Sequence, residues 1–337
     1  MVNGRLFGGR ADYVDFVNAV PTPVRLARGR RTSDRAGDLS LHGLTLLAGG
    51  AAAAVLVLIA WKVIDGSRLA IGRFGAGFLW STTWDPNKHV FGAADFLFGT
   101  AVTSFAALLI ATPLSIAIGL YLSELAPRGV RGAVSTLVEL LAAVPSVVLG
   151  LWGILVLGPF VRDHVEPALH DGLGFLPFFS DANYQISGLL PAILILTIMV
   201  VPIVASICRE LFLAVPHELE EGAVALGSTR WEMVRGVVLP SARGGIAAAA
   251  ILGLGRALGE AIAVTQVIGG AAAIHWSFFA PADTIASRLA NEYQGASTPL
   301  QISALFYLAL ILLVLGVVAN LAAQLIVRRF EYHRVAA

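Results

Sequence analysis

The feature that most constrains this chain is the recurrence of long apolar runs. A helix needs about 20 consecutive apolar residues to cross the hydrocarbon core of a bilayer, and six stretches reach that length, at about 41–63, 96–122, 132–158, 187–208, 244–270 and 300–327. No water satisfies a peptide N–H or C=O inside lipid, so each run must close its own backbone hydrogen bonds, as a helix does within one segment. The reading is an all-α polytopic membrane protein with six transmembrane helices. Composition agrees: 57% of the 337 residues are hydrophobic and 13% charged, against about 25% charged in soluble domains, and mean hydropathy is +0.79. A net charge of +1 gives no reason to expect a nucleic-acid partner, so membrane lipid is the expected surrounding. Cys208, the single cysteine, excludes an intrachain disulfide and a cysteine metal cluster. Of the seven scattered histidines the nearest pair, His164 and His170, sits in a polar loop and reads as surface side chains rather than a metal site.

Residues 1–40 carry Arg25, Arg28, Arg30, Arg31 and Arg35 among Gly, Ser, Asp and Pro, which predicts a solvated, disordered tail. The apolar run that follows is too long for a signal peptide's h-region and lacks a convincing cleavage site, so 41–64 is expected to stay as an anchor. Lys and Arg are enriched on the cytoplasmic side of membranes. With the N-terminus inside, the inside segments hold 16 of them and the outside segments six. The expected layout is a cell-membrane protein with both termini cytoplasmic, an external loop at 65–95, a transport core at 96–327 and a tail at 328–337.

Between the fourth and fifth spans lies a cytoplasmic segment from Arg209 to Ala242, far longer than the two to eight residues a helical bundle needs for a connection. Pro216 opens it, Leu219, Ala223 and Leu226 recur at helical spacing, Gly227 interrupts, and Trp231, Val234, Val237 and Val238 form a second apolar face before Pro240. This predicts a short helix, a turn and a second short helix at 215–240, with apolar side chains set to enter a partner's groove; the plainer alternative is an amphipathic helix lying on the membrane. The run Glu221-Gly222-Ala223, three residues, Gly227, nine residues, Val237-Val238-Leu239-Pro240 resembles the EAA signature of type I ABC importer permeases, with Gly222 and Val237 in place of the usual Ala and Ile. In that family the segment is the coupling helix that docks into the ATPase. Glu221, Gly222, Ala223, Gly227, Leu239 and Pro240 are the residues onto which this role falls.

The fifth span holds Arg256 and Glu260 near its middle. A charge there costs at least about 2.5–3.5 kcal/mol on insertion scales and is a functional-site hypothesis by default. Four residues apart, the two share a helix face and can pair, and Gly255 and Gly259 beside them let another helix approach closely. One reading is that Arg256, always charged and offering a planar fork of donors, draws a tetrahedral oxyanion through a pathway while Glu260 holds the guanidinium; the other is a buried structural ion pair. A dinucleotide-binding GxGxxG fails here, because after Gly253 and Gly255 the third glycine falls at 259 and no strand precedes it.

The string GLGRALGEAIAVTQVIGG resembles the fifth-helix motif of the PstC-type permeases of the phosphate-specific (Pst) importer, where the Arg and Glu are considered necessary for transport. The run Glu139 to Val148, followed by Gly150-Leu151-Trp152-Gly153, and the run Thr284 to Ser287 with Leu289 to Glu292 support the same family. The resemblance covers roughly 95–327. It implies a homologous second permease chain, a homodimeric ATP-binding subunit, an external phosphate-binding protein and phosphate as cargo. With no GxxxxGK[ST] loop in the chain, ATP and Mg fall to the partner and no cofactor is expected here. Pro145 should kink the third helix with Ser146 bonding the freed carbonyl, and Glu139 reads as a gating carboxylate or an interfacial cap; these three are the gating candidates. The loop from His275 to Thr298 reads either as interfacial anchors or as a short external helix facing the binding protein. A permease for another oxyanion is the nearest alternative, with a secondary transporter or channel and a non-transporting sensor further off.

Overall fold

Apolar runs set where these helices form, and prolines set where they are interrupted. The computed structural model describes residues 32–335. Helix α1 is Thr32–Phe74, followed by a 3₁₀ turn at Gly75–Leu79; α2 is Ala94–Leu120, continued by a π turn at Tyr121–Leu125; α3 is Arg128–Ala143. The next long helix, α4, runs from Ser146 to Leu173 with two π turns inside it, and α5 is Leu189–Leu213. Then come α6, His217–Ala225; α7, Arg230–Leu258; α8, Ile262–Val267; α9, Ile285–Glu292; and α10, Pro299–Val335. Among the described residues six helices are long and apolar enough to cross a membrane: Gly37–Leu79, Ala94–Leu125, Ser146–Leu173, Leu189–Leu213, Arg230–Leu258 and Pro299–Ala322.

The bounds differ from the expected ones at several places. Most of the expected disordered tail lies outside the described residues, but its last part, from Thr32, already belongs to α1. That helix also runs to Phe74, into the expected external loop, while α10 continues through the expected C-terminal tail to Val335. The largest shift concerns the third span. Val144 and Pro145 are extended, with ψ of 127° and 136°, because a proline ring pushes the preceding residue out of the helical region. The helix therefore breaks at Pro145 instead of kinking, and Ser146 opens the next one as its first residue. What precedes the break, α3, is amphipathic: Arg131, Val134, Ser135 and Val138, at i, i+3, i+4 and i+7, form its half-buried face. Arg131 Nη2 donates to the carbonyl of Ser123 at 2.6 Å, closing the end of α2. The crossing segment is thus α4, and it takes up residues expected in the acidic loop at 159–186.

Each of the four π turns ends two residues before a proline. Tyr121–Leu125, Gly153–Leu157, Val161–Val165 and Val234–Val238 precede Pro127, Pro159, Pro167 and Pro240. Pro159, Pro167 and Pro240 lie inside helices, where a proline lacks an N–H and its ring meets the carbonyl four residues back, and widening the preceding turn relieves that clash; Pro127 instead follows the extended Ala126 and precedes α3. Pro240 consequently does not close the segment after α6. The helix passes through it, so the second short helix is the start of the fifth span.

The chain divides into two units, Met1–Ile59 and Ala60–Ala337. In the first, the described side chains of α1 are largely exposed, Leu44, Leu47, Leu56 and Leu58 included. In the second, α5 is the central helix: Leu189, Ile195, Val200, Val204, Cys208 and Phe212 bury every side of it, as expected of a helix apolar all round. Helices α2, α3, α7 and α8 pack on it, and α10 packs on α7 and α9. Gly253 lets α7 close on α5, since a Cβ there would lie 2.9 Å from the side chains of Val200 and Val204. At α10, Ser303 Oγ donates to the Gly66 carbonyl at 2.7 Å and accepts from Ala70 N at 3.0 Å, fixing this part of α1.

Candidate functional site

Arg256 and Glu260 stand where α7 ends, not in mid-helix. The helix stops at Leu258, and Gly259 to Ala261 separate it from α8. Glu260 uses both oxygens to span this junction. Its Oε2 lies 3.4 Å from Arg256 Nη2, and its Oε1 accepts from Ala263 N at 3.2 Å, satisfying one of the free N–H groups at the start of α8. The Glu260 side chain is 6% exposed and that of Arg256 46% exposed. The carboxylate is therefore built into the protein and the guanidinium is presented outward from it, with its charge partly offset.

Among the described residues, the face that carries Arg256 is left open at its two glycines. A Cβ at Gly255 would meet nothing within 4 Å, and one at Gly259 only the Gly255 carbonyl at 3.5 Å. Leu252 and Ile262 continue the exposed stripe above and below. Beside it a groove of about 470 Å³ opens between Gly259, Ala261, Ala286, Leu289, Tyr293 and Phe306.

Helix α8 is held rigidly behind this junction. Gly150 of α4 abuts it, and a Cβ there would lie 2.8 Å from Ala263 Cα. Thr265 Oγ1 donates to the Ala261 carbonyl at 2.6 Å and lies 3.1 Å from Ser287 Oγ on α9. Ser146 and Pro145 sit one turn before Gly150, at the start of the helix that packs on α8. Glu139 lies on the exposed side of α3, where Ser135 Oγ donates to it at 3.2 Å. His170 Nδ1 sits 2.9 Å from the Phe179 carbonyl and the His164 ring stacks on Phe160, so both rings are engaged locally.

The segment after α5 forms a separate surface. Gly227 has φ of +90° and ends α6 in a Schellman turn, with Gly227 N donating to Val224 O at 2.9 Å and Ser228 N to Ala223 O at 3.2 Å. Thr229 and Glu232 then form a reciprocal capping box that starts α7. Glu221, Gly222, Gly227 and Pro240 are exposed, while Ala223 and Leu239 are half-buried. Leu219, Leu226 and Trp231 project outward at 50%, 90% and 66% exposure, whereas Val234 and Val238 are buried in the core. The second apolar face is thus split: Trp231 faces out and the valines anchor the segment. A groove of about 560 Å³ lined by Leu120, Glu124, Val224, Arg230, Trp231 and Met233 lies alongside.

A family of known proteins matches this arrangement over residues 111–332, the binding-protein-dependent transport system inner membrane component. The chain belongs to this family. The permease has curated relatives named phosphate transport system permease protein PstC. That of Mesorhizobium japonicum is 43% identical over 289 residues, covering 83% of this chain and 88% of the relative. That of Haemophilus influenzae is 41% identical over 281 residues, covering 82% and 89%. Among solved structures, a bacterial alginate ABC transporter in complex with an alginate pentasaccharide-bound periplasmic protein aligns with TM-score 0.58 and 19% identity, covering 89% of this chain and 98% of that one. This likeness concerns the fold, which is that of type I ABC importer permeases. The permease is an all-α, multi-pass inner membrane protein.

Proposed function

We propose that this chain is the membrane permease subunit of an ATP-driven phosphate importer. The observation that carries the proposal is the guanidinium of Arg256, held by a buried glutamate and projecting from a helix face that none of the described residues covers at Gly255. An arginine fork matches the oxygens of a tetrahedral oxyanion, and partial neutralisation by Glu260 weakens the grip enough for release. The relatives' printed function and the family's binding-protein dependence support phosphate as the cargo.

In this reading the exposed stripe of α7 faces a homologous second permease chain, and the pathway runs between the two. Leu219, Leu226 and Trp231 enter a cleft of a homodimeric ATP-binding subunit, which holds ATP and Mg. Both termini are cytoplasmic, and a phosphate-binding protein delivers cargo on the other side. Closure of the ATPase dimer moves α6, and because α7 is continuous from Arg230 to Leu258, a displacement at Trp231 reaches Arg256 along one helix. Phosphate shifts this equilibrium only by its different affinity for the outward and inward states, and Arg256 is the residue assigned that difference. Pro145 and Ser146 would act as gate elements through the packing of α4 on α8, and Glu139 as one from the exposed side of α3.

The test is labelled-phosphate uptake in cells lacking their own high-affinity system, supplied with this chain and its three partners. Wild type should take up phosphate and Arg256→Gln, at equal membrane level, should not. Uptake retained in the variant would reduce Arg256 to a structural role. Uptake by neither, with another oxyanion accepted by the wild type, would establish the alternative cargo.

A further inference from the structure

A second ionic centre lies at the end of α2 opposite the α6 turn. There Arg288 of α9 is held on three sides: Nε lies 2.9 Å from Asp283 Oδ2 as an ion pair without hydrogen-bond geometry, Nη1 donates to Glu292 Oε1 at 2.7 Å, and Nη2 donates to the Gly270 carbonyl at 3.3 Å. Its plane lies over the Phe96 ring at 4.7 Å. Trp84 Nε1 donates to the other Glu292 oxygen at 2.8 Å. Next to Phe96, on the first turn of α2, Asp95 is 3% exposed, and neither of its carboxylate oxygens has a hydrogen-bond partner. The next turn of α2 is locked against the segment that leads into α9: Gly99 meets the backbone of Asp283, and Thr100 Oγ1 accepts from Ile285 N at 3.0 Å.

Three carboxylates here share the field of one guanidinium, which is paired with Asp283 and Glu292 but not with Asp95. Arg288 and the exposed His275 are the basic side chains nearest in effect to Asp95, and neither is hydrogen-bonded to it. A bare carboxylate without a donor is the costliest occupant of such a site, whereas a neutral acid needs no counter-charge. Burial pushes the Asp283 carboxyl up, but the Arg288 charge and the Thr284 N–H at 2.8 Å support its ionised form. Asp95 receives the field of Arg288 and of its own helix N-terminus but, among the described residues, no hydrogen bond.

We propose that Asp95 is a proton-binding site linked to transport, holding a proton while α9 is docked on the first turn of α2 and releasing it when the two separate. The link to the pathway is structural: α9 joins α8 through Ser287 and Thr265, and α8 begins on the Glu260 cap. The docked state binds one proton more than the separated state, so acid favours docking and rising pH favours separation. The transport part of this inference rests on the proposed phosphate-importer function; the proton itself does not.

Infrared difference spectra of the purified four-component complex near neutral pH, wild type against Asp95→Asn, should show one protonated-carboxyl band lost in the variant and retained in Asp283→Asn. Uptake should fall on acidification in the wild type and lose most of that pH dependence in Asp95→Asn. Arg256→Gln should abolish uptake yet keep the band, which separates failure of the function reading from failure of this one. An unchanged band in Asp95→Asn, a band lost only in Asp283→Asn, an unaltered pH profile, or failure of the neutral Asn variant to assemble would each overturn the proposal.

Discussion

Glu260 performs two tasks with its two oxygens, and substitutions can separate them. Glu260→Gln keeps a carbonyl oxygen able to accept from Ala263 N but loses the charge that orients Arg256. The two form an ion pair at 3.4 Å with Arg256 half-exposed, and such pairs contribute about 0.2–1 kcal/mol. Glu260→Gln is therefore expected to lower uptake by at most about fivefold. Glu260→Ala also removes the start of α8, where a lost cap costs about 1 kcal/mol, and should transport less still. Uptake rates at matched membrane levels check the order wild type, Gln, Ala; equal rates for Gln and Ala would mean that the cap contributes nothing. The i, i+4 spacing of Arg256 and Glu260 made the pair legible from sequence. The cap was not, because it depends on α7 stopping at Leu258, which apolar periodicity through 270 does not reveal.

At the scale of elements, the four π turns tie helix geometry to proline positions. The turn before Pro240 inserts one residue into α7, and one residue corresponds to about 100° of helix rotation. It therefore sets the direction of Trp231 relative to Arg256. Pro240→Ala removes the clash that the wide turn relieves, and relaxation to a regular α-helix should rotate the segment around Trp231. The expected outcome is a normally inserted and assembled permease with reduced coupling of ATP hydrolysis to uptake, measured as the ratio of the two rates in vesicles. A ratio equal to wild type would show that the turn persists without its proline. The sequence reading placed a helix end at Pro240 and a kink at Pro145, and the structure exchanges the two effects: the helix passes Pro240 and breaks at Pro145. What differs is the length of helix that tertiary packing holds on each side. Val234 and Val238 are buried and keep α7 together, while Ala142 and Ala143 ahead of Pro145 are exposed.

At the scale of the whole molecule, exposure distinguishes lipid-facing from partner-facing surface only where small residues and a charge coincide. The stripe through Leu252, Gly255, Gly259 and Ile262 carries Arg256 and has open space above both glycines. Close helix approach in membranes depends on such small residues. A Cβ at Gly255 meets no atom of the described residues within 4 Å, so Gly255→Leu should insert to the wild-type level, yet co-purification of the second permease chain should fall sharply. Normal co-purification would mean that the stripe faces lipid. The Trp84, Asp95, Asp283, Arg288 and Glu292 cluster belongs to the same scale: its members come from three separate parts of the chain, and only the docking of α9 on α2 assembles them.

Sequence alone determined the class of protein, the number of crossings, the turn at Gly227 and the pairing of Arg256 with Glu260. These follow from local rules: twenty apolar residues span a bilayer, glycine accepts a positive φ, and side chains four apart on a helix meet. Tertiary structure decided which apolar helix crosses and which only packs along the bundle, since α3 and α4 read as one run until Pro145 is seen to break it. It also decided that α7 ends at the charged pair and that Asp95 is buried without a donor. Those outcomes depend on contacts between residues far apart in the chain, where hydropathy and spacing carry no information.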